Sequence, residues 1–178
     1  MAQVNEPMAD VRDMFLAHTM PRREFRLLPQ LVRDVTPGDL ERLETVGAHA
    51  EHICLVLHLH HEGEDLLLWP LLVERAGEEA AGIARLMEEH QAAIERAYKE
   101  ITELLPQWRA AAQHGLRLAG ALSTLLTALV EHLALEEKEI LPLTERFITA
   151  AEWKRLGEHG MAQTPPEALP QALGMGML

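Results

Sequence analysis

Two pairs of residues carry metal-ligand chemistry at helical spacing: His60 with Glu64, and His132 with Glu136. Residues four apart on a helix share a face and sit about 6 Å apart along the axis, so an imidazole and a carboxylate can converge on one point. Shifting the chain by 72 residues lays one pair on the other. The same shift matches His18 with His90, Asp65 with Glu137, Pro70 with Pro142 and Leu71 with Leu143. A solvated charge run has no reason to recur with the same histidines at the same offsets, so the repeat marks a paired site. Two carboxylates can each bridge two cations while each cation takes two imidazoles, with solvent-derived oxygen completing the bridge. Such a nitrogen and oxygen donor set, free of thiolate, suits Fe or Mn, with Zn as a competitor.

A helical wheel at about 100° per residue sorts the surplus candidates. Taking His60 as reference, Glu64 lies at about 40°, with Ile53 and Val56 on the same inward face. His58, Glu62 and Asp65 face away. His61, near 100°, is borderline, placed to support a ligand rather than to be one. On the last helix the same reasoning prefers Glu136 to Glu137, with Leu125 and Ala128 inward. His49 is too far along the helix to ligate and reads as a satisfied core histidine. His52 reads as an edge residue, and His114 and His159 fall near loops. Glu139, where the other half has Leu67, reads as a solvated acid near a kink, and Tyr98 and Trp69 as packing residues.

Four helical segments must position these groups. They run from about Met8 to Val35, Asp39 to Arg75, Glu78 to Leu105 and Leu116 to Phe147. Pro21 and Pro29 predict a kinked or broken first helix, with Pro21 distorting the turn beside His18. Asp39 is the expected N-cap of the second, Pro70 bends its end and Gly77 closes it. Pro106 is expected to stop the third, and Pro142 interrupts the fourth. Thr149 and Glu152 have capping-box spacing and predict a short fifth helix. Four long helices with short connections, and no strand pattern, predict an all-α, up-and-down four-helix bundle over residues 8–160. Residues 161–178, Pro-rich and then apolar, read as a loosely ordered tail.

Composition agrees with this class and removes others. The chain is 48% hydrophobic but only 4% aromatic, and Ala, Leu and Glu abound where Val and Ile are scarce, which favours helix over strand. A formal charge of −12 argues against nucleic acid and gives no support for docking on anionic lipid. Cys54 stands alone, which excludes an internal disulfide and a thiolate-only metal cage; in "ICLVL" it reads as a small buried hydrophobe. The first residues lack the basic flank and apolar core of a signal peptide, and no run approaches the roughly 20 uninterrupted apolar residues that span a bilayer. A cytoplasmic, soluble protein is the expectation.

With these residues in place, the chain resembles the hemerythrin-like, HHE cation-binding family. His18, "HHEGEDLLLWP", the single His90 and "HLALEEKEILP" match its four-helix pattern across roughly residues 10 to 147, and "FITAAEWKRLGEHG" is similar to the closing helix of many members. The resemblance implies a non-heme di-iron site whose metal ligands are His18, His60, Glu64, His90, His132 and Glu136. It implies two iron ions with an oxo or hydroxo bridge, ahead of Mn or Zn, and a small ligand: O2, peroxide or NO. Two departures stand out. Oxygen-carrying members have a further histidine four residues after the third-helix ligand, where this chain has Ile94. They also use an Asp five residues after the last histidine, where this chain has Glu137, while Glu136 at four fits the site better. The implied site is more symmetric, which points away from reversible oxygen carriage. It points towards catalase- or peroxidase-like redox chemistry, or towards an iron- or oxygen-sensing module that signals to a protein partner.

Overall fold

The computed structural model describes residues 6–163. Seven α-helices follow one another there: α1 (Arg12–Arg33), α2 (Leu40–Gly63), α3 (Trp69–Ala76), α4 (Glu78–Ala111), α5 (Gly115–Leu135), α6 (Leu141–Phe147) and α7 (Ala150–Gln163). Two π-helical turns, Glu64–Leu68 and Glu136–Ile140, join α2 to α3 and α5 to α6 into two long compound helices. With α1 and α4 these make the four columns of a bundle: α1 packs beside α2 and α5, and α4 packs beside the same two. Among the described residues there is no strand. An isolated bridge between Met8 and Thr149 fastens the start of the described chain to the α6–α7 junction.

The two π turns lie 72 residues apart, so the sequence repeat is also a repeat of backbone shape. Each stands just ahead of a proline at the start of the next helix. A proline has no N–H to donate, and in a regular α-helix its ring presses on the carbonyl four residues back. Widening the preceding turn relieves that clash: the Trp69 N–H donates to the Glu64 carbonyl, and the Leu141 N–H to the Glu136 carbonyl. Both acids of the paired motif therefore begin a π turn, a distortion that recurs at functional sites.

The helix ends follow from their caps. Asp39 accepts from the Arg42 N–H at 2.9 Å. Gly77 ends α3 at a φ of +55°, which favours glycine. The capping box before α7 forms as expected. The Thr149 N–H donates to Glu152 at 3.0 Å, and the Glu152 N–H to the Thr149 hydroxyl at 3.3 Å. Glu152 also accepts two bonds from Arg75, tying α7 to α3.

Neither a break in the first helix nor the expected stop of the third occurs at proline. α1 is one unbroken helix through Pro21 and Pro29. Each ring costs a single backbone bond, and both are buried on the face that carries Phe25, Leu28 and Val32, whose packing outweighs that loss. α4 likewise continues through Pro106 to Ala111, because Leu104, Leu105 and Trp108 beyond or beside the proline are all buried in the core. It ends instead at Ala112, in the left-handed conformation. α7 runs on to Gln163, and the rest of the expected tail lies outside the described residues.

The interior is two apolar cores rather than one. The larger holds Phe25, Leu28, Ile53, Leu57, Ile94, Ile101, Leu125, Leu129 and Leu133. The smaller holds Met14, Leu68, Leu72, Met87, Ile140, Leu143, Ile148 and Trp153. Trp153 donates its indole N–H to Asp13 at 3.0 Å, which locks α7 against α1. Most candidate ligands fall between the two cores: His18 between Met14 and Phe25, His60 and Glu64 between Leu57 and Leu68, His90 between Met87 and Ile94, Glu136 between Leu133 and Ile140, while His132 sits between Leu129 and Leu133 at the edge of the larger core.

The stretch Gly115–Phe147 is long and apolar enough, by length and composition alone, to cross a membrane. In the bundle Leu118, Leu122, Leu125, Leu129 and Leu133 of that stretch are buried against the other helices. Leu125 is fully buried two turns from His132. Leu125→Ala should therefore lower the stability of the metal-free protein by about 2–5 kcal/mol, read as a drop in the urea midpoint at unchanged slope.

Candidate metal centre

The layer between the cores is where the paired motifs meet. His18 (0% exposed), Glu64 (3%), His132 (1%) and Glu136 (1%) are buried from four different directions: α1, the two π turns and the end of α5. His60 lies 3.0 Å from Glu64, and His18 Nε2 lies 3.4 Å from Glu136. One ligand atom each from His18, His60, Glu64 and Glu136 fall within 4.8 Å of one another. A second group, by the same measure, is His61, Glu64 and His132. Glu64 belongs to both.

His61 is the residue that sequence reasoning undervalued. It is 3% exposed, and its ring lies 4.9 Å from that of His132 in an edge-on arrangement. The wheel put it at the margin because it describes one face of one helix, whereas at this level α2 is buried over much of its circumference. The adjacent Gly63 shows this. A Cβ there would sit 3.1 Å from Leu156 and 3.4 Å from His159 of α7. The signal available in the sequence was the His-His doublet itself, whose two rings point to different groups.

His90 is the expected ligand that the structure leaves outside both groups. Its ring is 6.3 Å from that of His132, on the same side of the layer, and its Nδ1 is buried. Glu137 is also placed as expected, off the cluster. It accepts from His18 Nδ1 at 2.9 Å and from Arg22 at 2.6 and 3.1 Å. The remaining histidines have other surroundings. His49 pairs with Glu24 at 2.9 Å, and His58, exposed, stacks on Tyr98. His159 lies 3.7 Å from Glu62, while His52 is buried rather than at an edge. Glu139 pairs with Lys138 at 2.8 Å towards the surface. Cys54 is buried, and burial pushes its thiol up to about 12, so it behaves as a hydrophobe.

Apart from the close approaches of His60 to Glu64 and of His18 to Glu136, the polar atoms of this layer leave one another without well-formed hydrogen bonds. His18 Nε2, His60 Nε2, His61 Nε2, Glu64 Oε1, His90 Nδ1, both nitrogens of His132 and both oxygens of Glu136 are buried without a hydrogen-bond partner. Buried polar atoms are nearly always paired, so this concentration of unpaired donor atoms, all of metal-ligand type, fits a bound cation. Neutral imidazole and ionised carboxylate are the forms a metal needs. Burial holds His18 and His132 down at about 4 and His61 at about 3, each with help from neighbouring imidazoles. Burial works against charge on both His60 and Glu64, but their mutual attraction outweighs it, raising His60 and holding Glu64 at about 2. Glu136 is the opposite case. Burial and then the Glu64 carboxylate push it well above the usual range, so without a cation it keeps its proton.

The pH dependence of folding follows. Between about pH 4.5 and 6.5 the unfolded chain protonates His18, His61 and His132, which the folded chain keeps neutral, while folded Glu136 holds one proton that the unfolded chain has released. Unfolding thus takes up about two protons net in that window, and stability rises with pH across it. The metal-free protein should show a clearly lower urea midpoint at pH 5 than at pH 7. A midpoint equal or higher at pH 5 would contradict the neutral-imidazole layer.

Comparison with known proteins agrees with this geometry. The family model described as "Hemerythrin HHE cation binding domain" matches residues 10–144, more than half of the chain and all of the cluster. Searches of curated proteins and of solved structures returned no match. The matched span begins just before α1 and ends within α6, so it takes in the four columns and both π turns that carry the two ligand groups. The chain belongs to the hemerythrin HHE cation-binding domain family.

Proposed function

We propose that the layer holds two iron ions bridged by Glu64 and Glu136, and that the protein binds or reacts with O2, peroxide or NO. The observation that carries this reading is the place of Glu64 in both ligand groups, as a bridging carboxylate requires. His18 and His60 serve one ion. His132, with His61 and with His90 on the same side of the layer, serves the other. Donors of nitrogen and oxygen without thiolate favour iron or Mn, with Zn the competitor. When bound, an iron pair supplies electron transfer and open coordination positions for a small ligand.

The chain's own residues do the rest. Glu64 is ionised in advance, and burial keeps His18, His61 and His132 neutral with their lone pairs free, while His60, raised by Glu64, yields its proton to a cation. Glu136 gives up its proton as a cation takes its place, so metal uptake is coupled to proton release. Ile53, Leu57, Ile94, Leu125 and Leu129 wall one side of the layer, and Met14, Met87, Leu68 and Ile140 the other. Apolar walls of this kind suit a small diatomic or peroxide ligand better than a bulky or charged substrate. Catalase- or peroxidase-like turnover suits such a site. A cytoplasmic location belongs to the same proposal.

A second reading, an iron or oxygen sensor without turnover, has one observation in its favour. Leu156 and His159 of α7 press on Gly63, the residue before Glu64, so a shift of the metal-bound π turn would be felt by the C-terminal helix.

Protein loaded with iron should contain about two ions per chain and, oxidised, show the near-ultraviolet bands of a bridged ferric pair. His61→Ala should fall to about one ion, whereas His58→Ala should keep both. Fewer than about one iron per chain in the unaltered protein would remove the reading. Peroxide breakdown should vanish in a His60→Ala, Glu136→Ala variant; if it survives there, the layer is not where it happens. No turnover, with loss of a partner on deleting residues 164–178, would favour the sensor.

A further inference from the structure

The two halves of the repeat support their histidines differently. On the first side Glu137 accepts from His18 Nδ1 at 2.9 Å, leaving Nε2 turned into the layer. Arg22, one turn after His18 on α1, grips both oxygens of Glu137, at 2.6 and 3.1 Å. Glu137 is itself half-buried, so the bonds hold in a partly dry setting. On the second side the 72-residue shift replaces each part: His18 by His90, Glu137 by Asp65, Arg22 by Ile94. Asp65 is one methylene shorter, is exposed, and accepts instead from the side-chain amide of Gln91 at 2.7 Å. Ile94 is buried in the apolar core and offers no charge. His90 Nδ1, the atom equivalent to the one Glu137 holds, has no partner.

We propose that Glu137, clamped by Arg22, is the positioning residue that fixes the ring and tautomer of His18, and that the second half lacks a working counterpart. The two metal positions then differ in retention: the ion on the His18 side is held firmly, and the ion on the His90 side exchanges. A carboxylate behind a ligating imidazole sets which nitrogen faces the metal and makes it a better donor, and its loss typically costs 10–100-fold in metal affinity. This inference rests on the two-ion reading above.

The test is removal of ferrous iron, loaded anaerobically, by a coloured chelator. The unaltered protein should release its iron in two phases of about one ion each. Glu137→Gln, which keeps shape but loses the charge, should accelerate the slow phase by about 10–100-fold and leave the fast phase unchanged. Arg22→Gln should accelerate the same phase by less, because Glu137 still reaches His18. Asp65→Ala should change neither phase. The urea midpoint of each metal-free variant checks folding. Should Glu137→Gln fold poorly, Arg22→Gln alone decides, since it leaves the buried contact in place. Release of both ions in one phase from the unaltered protein overturns the inequivalence. A slow phase unmoved by both variants, or both phases accelerated together, overturns the positioning role. Fewer than two ions loaded per chain overturns the two-ion reading itself, which is a distinct failure.

Discussion

The structure is organised around a buried layer of histidine and glutamate that cannot satisfy itself. Each unpaired buried donor or acceptor costs about 1–3 kcal/mol, and this layer gathers several within two ligand groups that share Glu64. A continuous apolar core would be more stable than one cut in two by imidazole and carboxylate. The bundle tolerates the cut because each side is well packed: Phe25, Leu28, Leu125 and Leu129 on one, Leu72, Ile140 and Trp153 on the other. A cation shared by the layer's free lone pairs removes the penalty, which is why metal binding and folding are one equilibrium in such a site.

The π turns show how the backbone serves that layer. Placed on a straight α-helix, the column from Leu40 to Ala76 would meet Pro70 with a clash against the carbonyl four residues earlier. The widened turn absorbs the proline immediately after Glu64, and the same occurs after Glu136. The turn also rotates the following helix, so α3 and α6 build the second apolar core while α2 and α5 build the first. The proline motif is thus part of what separates the two cores, with the acids at the border.

Much of this was legible in the sequence, for physical reasons that are uneven. A period-four pair of ligands on a helix is a geometric statement, and its recurrence at a fixed offset locates the partner pair without any structure. The structure accordingly brings His18, His60, Glu64, His132 and Glu136 together and turns Glu137 away. Helix breaks at Pro21, Pro29 and Pro106 do not occur because the cost of proline is local while the packing that offsets it is not: nothing adjacent to these prolines in the chain tells how deeply Phe25, Leu28 or Trp108 will be buried. His61 was undervalued because a wheel treats each helix as having one inner stripe. A column flanked by α1, α4 and also α7 has more than one.

The repeat itself makes the departures from symmetry informative. A doubled motif on a two-fold scaffold supplies two equivalent carboxylates and two equivalent pairs of imidazoles. His61 has Leu133 as its counterpart, a fully buried apolar residue, so a fifth imidazole exists on one side only. Arg22 has Ile94 as its counterpart, and Glu137 has the shorter Asp65, so the charged support exists on the other side only. In the proposed di-iron reading these breaks work in opposite senses. The His61 side gains a nitrogen donor, while the His18 side gains an anchored, charge-supported imidazole. In that reading the near symmetry implied by Ile94 is lost in three dimensions, because His61 on α2 adds an imidazole beside Glu64 and His132 that the other half lacks. A pair of metals in unlike surroundings can divide labour, one holding and one exchanging a small ligand, which an equivalent pair cannot do.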